Sequence, residues 1–558
     1  MKNHFILFFV FCFVFSALAQ KNIKSIKITY VKSSNGKLIE NQDPILVFTT
    51  EKTSLITSEK IILKKADFPI EQTFVDFNTK SISQFVQFKN GNSILTIDTL
   101  ALGKQKFEFS DETKKILGYT CKKAKTTINS NSIELWYTNE LNLKGAPSVL
   151  GQNLGLVLET VRNGNSKVTA SKIELLKTIP TLLTLPNPLP KIVDQLTYKD
   201  LIWKSRFINI AVFEKEIINF SNTSRSNDSI LRFANGTIIL KKVKIPEIKK
   251  GNRIFVDVTE QSNGDAYDRT GSVFLIPTDK NISFLDGLKN GVKELPVYEN
   301  GNGEKYQGVI RTENYAPLLE LMRFFTPFGV KQFNTLQLKN KVWQDSVYYR
   351  QDISEMHPAL SNKEVWIGMN IGNYDNGGHK ASLNISIHPE EESKPQNTWL
   401  LPVFNTNNVM EMAGQQYATM FSNEKGLEVT FDVPEGFKNF KLRYITTGHG
   451  GWENGDEFVP KKNTILVDAK EVFAFTPWRT DCGSYRLSNP ASGNFSDGLS
   501  SSDLSRSNWC PGTVTNPVYI DLGNLSAGKH TIQIKIPQGK PEGSSFSSWN
   551  VSGCLIGE

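Results

Sequence analysis

The chain has 558 residues, a formal net charge of +8 at pH 7, and 39% hydrophobic against 22% charged residues. At roughly 150 residues per domain, that length allows about three to four domains. The lysines are scattered rather than clustered, which argues against a nucleic-acid groove, and no apolar run beyond the N-terminus reaches membrane-span length.

The first segment, MKNHFILFFVFCFVFSALAQ, carries one lysine, an apolar run from Phe5 to Phe15 and small residues up to Ala19. This is the pattern of an export signal cleaved after Ala19, too short and wrongly flanked for an anchor. It predicts a chain from Gln20 delivered to the periplasm, the cell surface or the medium. In an oxidising compartment Cys121, Cys482, Cys510 and Cys554 can pair. Spacing alone leaves the connectivity open; Cys482 with Cys510, which closes a modest loop, is the favoured pair.

Helical periodicity is scarce downstream, whereas apolar and polar residues alternate at Ile26–Tyr30, Leu383–Ile387, Phe440–Tyr444 and Ile532–Ile536. Short alternating strands broken by Gly, Asn and Pro predict an all-β chain of antiparallel sandwiches or barrels. Pro180, Pro186, Pro188 and Pro190 make residues 179–200 a proline-rich spacer, and the charged, proline-bounded stretch 389–396 a second linker. The expected regions are therefore 20–178, 201–388 and 397–558. In the first, Leu117–Ala124, Leu135–Thr138 and Gly151–Glu159 resemble in order the motifs of the secreted GLPGLI family. That resemblance implies an accessory β domain and no chemistry.

Among possible chemistries, metal sites fare poorly. The six histidines form neither a His-x-His pair nor a His-Glu-x-x-His motif, so no metal or cofactor is expected. A Gly-x-Ser-x-Gly elbow and nucleotide-binding loops are missing too. Carboxylates remain as proton carriers. Asp265, Asp268 and Arg269 sit beside Tyr267 just ahead of an apolar strand, and Trp452, Glu453, Asp456 and Glu457 occupy a second strand junction. Two such loops can meet across a domain interface. A third stretch, Ser505–Gly512, sets Arg506 and Trp509 beside Cys510, a combination suited to a sugar-binding wall. Each loop also has a plain reading, as a self-capped turn or a core tryptophan.

From Phe207 onward the order of motifs resembles the peptide-N-glycosidase F family: Gly264–Arg269, Arg323–Phe328, the Glu457 loop, Asp481–Gly483, and Arg506–Gly512. The resemblance implies two antiparallel eight-stranded jelly rolls side by side. It also implies hydrolysis of the amide joining asparagine to the first N-acetylglucosamine of N-glycoproteins or N-glycopeptides. Carried over by position, Asp268 is the base that activates water and Glu457 the second catalytic acid. Asp265, Arg269, Arg506, Trp509, Trp452 and Phe458 contact substrate. The chain departs from the family where its third acid stands, at Gly372 or Asn373, with Asp375 nearby as a substitute. Phe458 replaces a tryptophan, and the cysteine pairs near both acids are missing. These departures make a glycan-binding module without efficient turnover the alternative to an amidase.

Overall fold

The structure is a computed structural model that describes residues 25–249, 251–329, 338–389, 398–450, 454–490, 500–541 and 546–558. The expected export signal, most of the 389–396 linker, and Trp452 with Glu453 lie outside these residues. The chain divides into a unit ending at Arg206 and a second from Phe207 to Glu558. Among the described residues, no helix is long and apolar enough to cross a membrane.

The first unit is built on one 13-stranded sheet, antiparallel except where Lys191–Ile192 joins Ser93–Asp98 in parallel. Its longest pairing sets Ser25–Ser34 against Ser166–Leu176, and the alternation at Ile26–Tyr30 appears as Ile26, Ile28 and Tyr30 facing the core with Trp136 and Leu158. The proline-rich stretch differs from the expected spacer. Leu183 packs with Leu46 and Phe48, Lys191–Ile192 adds an edge strand, and Asp194 caps the helix Gln195–Lys204 by accepting from the Thr197 amide. Tyr198 and Ile202 of that helix pack against Val86 and Ile94. Prolines end strands, but the apolar residues between them still gain by burial, so the segment folds onto its sheet.

The second unit contains two β-sandwiches. In the first, a four-stranded sheet that includes Arg253–Ser262, His379–His388 and Val347–Asp352 faces a six-stranded sheet that includes Thr270–Ile276, Glu364–Ile371 and Leu319–Phe325. Val256, Val258 and Ile385 from one sheet meet Val273, Leu321 and Ile367 from the other. In the second, two four-stranded sheets enclose Val429, Phe431, Ile465 and Ile534 against Phe404, Leu442, Val551 and Leu555. The sixth strand of the larger sheet, Val514–Thr515, comes from the C-terminal region and pairs with Arg323 and Phe324. That exchange carries the chain just after Arg506 to the edge of the first sandwich.

Candidate active site

The first acid loop is a corner. It leaves the strand Arg253–Ser262 in one sheet and enters Thr270–Ile276 in the other, so its side chains stand at the rim of the sandwich. Gly264, at φ 155°, passes so close to Asp375 that a Cβ would lie 2.8 Å from Oδ1. Asp265 is 2% exposed, and both of its oxygens accept bonds from within the loop. Its Oδ2 accepts from Arg269 Nε at 2.6 Å, and its Oδ1 from Arg269 Nη2 at 3.1 Å and the Tyr267 amide at 3.1 Å. His379 Nε2 approaches Oδ2 at 3.3 Å. The bonds from His379 and Arg269 overcome the cost of burial and hold the Asp265 carboxyl down at about 2.

The second loop is held by Asp456 as well as by its own turn, in which the Phe458 and Val459 amides donate to the Gly455 carbonyl. The buried Asp456 carboxylate accepts from Trp549 Nε1 at 2.7 Å and the Gly539 amide at 3.0 Å, with Lys461 at 3.5 Å. Ser507 then donates its amide to the Glu457 carbonyl at 2.9 Å, tying the loop to the segment that carries Arg506. Arg506 is fixed in turn by reciprocal backbone bonds with Arg479, and the Cys482–Cys510 disulfide closes the same region.

Arg506 unites these elements. Its Nη1 lies 3.2 Å from Asp268 Oδ2 and is bonded to Glu457 Oε1, while Nη2 donates to the Ser501 carbonyl at 2.6 Å. The two carboxylates are 14% and 18% exposed, the guanidinium 1%. Burial pushes both acids up. For Asp268 it prevails over Arg506 and Arg269; for Glu457 it combines with the Asp268 charge, against Arg506, to reach about 7. The pair titrates as a unit around one cation. Asp268 Oδ2 is buried beside Arg506 and accepts no hydrogen bond among the described residues, which leaves it with unused acceptor capacity. Among the described residues, no group of three or more His, Cys, Asp or Glu side chains is placed to hold a metal ion.

Three family models match the chain in order. They are the N-glycanase peptide N-terminal domain over 28–200, the peptide-N-glycosidase F N-terminal domain over 209–387, and its C-terminal domain over 416–556. The solved structure of PNGF-II in the P21 space group is 60% identical, covers 96% of this chain and 99% of its own, and superposes with a TM-score of 0.90. The chain belongs to the peptide-N-glycosidase F family. PNGF-II in the C2 space group agrees, at 60% identity, TM-score 0.88, and coverage of 96% and 98%. PNGase F, a glycosylasparaginase from Flavobacterium meningosepticum, is 16% identical over 63% of this chain and 96% of its own, with a TM-score of 0.42. No curated protein matches.

Within this N-glycanase fold, Asp268, Glu457, Arg506 and Phe458 come together, with the Arg506 guanidinium 5.0 Å over the Phe458 ring. Several expected contact residues stand in other surroundings. Trp509 is no open sugar wall: it is 4% exposed, stacks on Phe325 at 4.3 Å, lies under Arg506 at 4.3 Å, and donates Nε1 to the Gly448 carbonyl. Arg506, expected to line the sugar cleft, pairs with the two acids. Asp265, also expected to contact substrate, bonds to Arg269 and lies against His379. Asp375, the nearby candidate for the third acid, accepts the Gly377 and Gly378 amides at 2.7 and 2.8 Å and so shapes a turn. Sequence reasoning takes His379 for a lone surface histidine and passes over Glu260; His379 is instead fully buried against Glu260 and Asp265, partners 119 and 114 residues away in the chain. That reasoning overlooked Tyr374 as well, which with Tyr267 flanks Arg269 at 5.5 and 5.2 Å.

Proposed function

We propose that the chain is an exported amidase that hydrolyses the bond between the asparagine side chain and the first N-acetylglucosamine of N-glycoproteins and N-glycopeptides. The observation that carries this reading is the Arg506 guanidinium seated between Asp268 and Glu457. Arg506 favours the ionised form of Asp268 against the penalty of burial, and the Asp268 carboxylate, whose Oδ2 has unused acceptor capacity, takes a proton from the attacking water. The water oxygen bonds to the amide carbon, the carbon–nitrogen bond breaks, and the nitrogen leaves with a proton. The products are aspartate and a glycosylamine. What must be stabilised is a tetrahedral oxyanion, and a buried cation near the reacting carbon serves that purpose at little reorganisation cost. Tyr267 and Tyr374, both more than half exposed, offer the aromatic faces for sugar that Trp509 lacks. Asp265 acts by holding Arg269.

Mass spectrometry of a denatured N-glycopeptide tests the reading. Wild-type protein should convert the glycosylated asparagine to aspartate, and Asp268→Asn should slow this on the order of a hundredfold to ten-thousandfold. The commitment of Asp375 to its turn favours one alternative, a glycan-binding module. That alternative takes over if wild type leaves every glycopeptide intact yet retains glycans on an array.

A further inference from the structure

His379 is a fully buried ionisable side chain next to the acid loop, as is its neighbour Glu260, and nothing in the hydrolysis just described uses it. It is 0% exposed, at the start of the strand His379–His388, and pairs with Ser262 at the end of the strand that leads into the loop. Its ring is gripped at both ends: Nδ1 is 2.8 Å from Glu260 Oε1 and Nε2 is 3.3 Å from Asp265 Oδ2. Ionised carboxylates only accept hydrogen bonds, so both nitrogens must donate, and a ring that donates twice is an imidazolium.

Asp265, the carboxylate at one end of this grip, brackets Asp268. It holds the Tyr267 amide on one side and the Arg269 guanidinium on the other. The Arg269 backbone is pinned further, its amide donating to Thr326 Oγ1 at 2.8 Å and its carbonyl accepting from the Thr326 amide at 2.9 Å. The residue between these tethers is the one whose oxygen must meet the water.

We propose that His379 is a positioning residue for the hydrolysis: wedged between Glu260 and Asp265, its ring locks the Asp265–Arg269 clamp and thereby fixes the backbone that carries Asp268. This inference rests on the amidase reading. The charged and titratable groups around the ring are Glu260 from the preceding strand and Asp265 and Arg269 from the loop. Tyr349, from the strand Val347–Asp352, has its phenol near Glu260 and donates to the Phe325 carbonyl at 2.8 Å. Two carboxylates, one guanidinium and the imidazolium leave the cluster neutral. Loss of the histidine proton would leave a buried negative charge beside Asp268. Burial alone would depress the imidazole, but the bonds from Asp265 and Glu260 raise it to about 9. The folded pKa lies above the free value, so the lock is complete below about 6.5 and is lost as pH rises through about 9.

The test is the pH dependence of kcat on a glycopeptide for wild type, His379→Gln and Glu260→Gln, each confirmed as folded by circular dichroism. Wild type should lose kcat above about pH 9 with KM nearly unchanged. His379→Gln should lower kcat on the order of tenfold to a hundredfold at pH 7 and abolish that upper limb. Glu260→Gln removes one of the two groups that raise the imidazole, so it should move the limb to lower pH. If His379→Gln does not fold, the shift in Glu260→Gln decides alone. An active wild type whose upper limb neither substitution moves overturns the role of His379 and spares the amidase. A wild type that converts no asparagine overturns both.

Discussion

Ionising both Asp268 and Glu457 would set two negative charges around one guanidinium, in a place where burial already raises each acid. The pair therefore holds a proton well above the ordinary carboxylate range of about 4. A base must be deprotonated to accept a proton, so activity should fall as the solution is acidified from about 7, and rise again on returning. Replacing Glu457 by Gln removes the like charge and leaves Arg506 to Asp268 alone, which lowers the pKa of Asp268. The acid limb of kcat/KM should move to lower pH in Glu457→Gln; a limb that stays in place would show that the two acids do not share a proton. Residue types singled out the two acid loops, and the family resemblance picked Asp268 and Glu457 within them. Their coupling could not be read that way, because it depends on a third side chain, Arg506, that packing places between them.

At the scale of the strand and its loop, close approach sets the geometry. Gly271 pairs with Phe324 across the six-stranded sheet, and a Cβ there would stand 2.3 Å from the ring. The ring covers the strand three residues beyond Asp268. Gly271→Ala should therefore cost about 1–3 kcal/mol through forced repacking, visible as a lower Tm, and should depress kcat by displacing the loop. The alternating strands were legible in the sequence because side-chain direction has a period of two and depends only on local backbone geometry. The same rule misplaces Arg443. Its position in Phe440–Tyr444 predicts a solvent-facing cation, but Arg443 is buried and donates to the Glu320 and Leu321 carbonyls at 2.9 and 3.1 Å. Alternation assigns a face, not what later covers that face.

Across the second unit, the two sandwiches meet through buried polar groups. Arg323 donates to Glu320 through Nε at 3.1 Å and Nη2 at 2.8 Å, and reaches Thr447 Oγ1 and the Asn550 carbonyl of the second sandwich at 3.0 and 2.6 Å. Ser552 and Asn407 complete the carboxylate of Glu320, which stays below its ordinary value because Arg323 outweighs burial. Removing the cation strands a buried charge. Arg323→Met should cost about 3–5 kcal/mol and lower kcat, since Asp268 and Glu457 stand on different sandwiches. Adding Glu320→Gln should recover part of the Tm. A double variant no more stable than Arg323→Met would mean that the loss comes from packing rather than from the stranded charge.

The sequence by itself determined the β class, the two acid loops and the family resemblance of the region from Phe207 onward, carried by local periodicity, residue type and motif order, and it favoured the pair Cys482 and Cys510, which the fold then bonds. Only the tertiary structure decided that the proline-rich stretch folds onto its sheet, that Trp509 is buried beneath Arg506, and that His379 is clamped between Glu260 and Asp265. Those outcomes depend on strand register and on which surfaces cover one another, so side chains far apart in the chain become neighbours whose charges set each other's protonation.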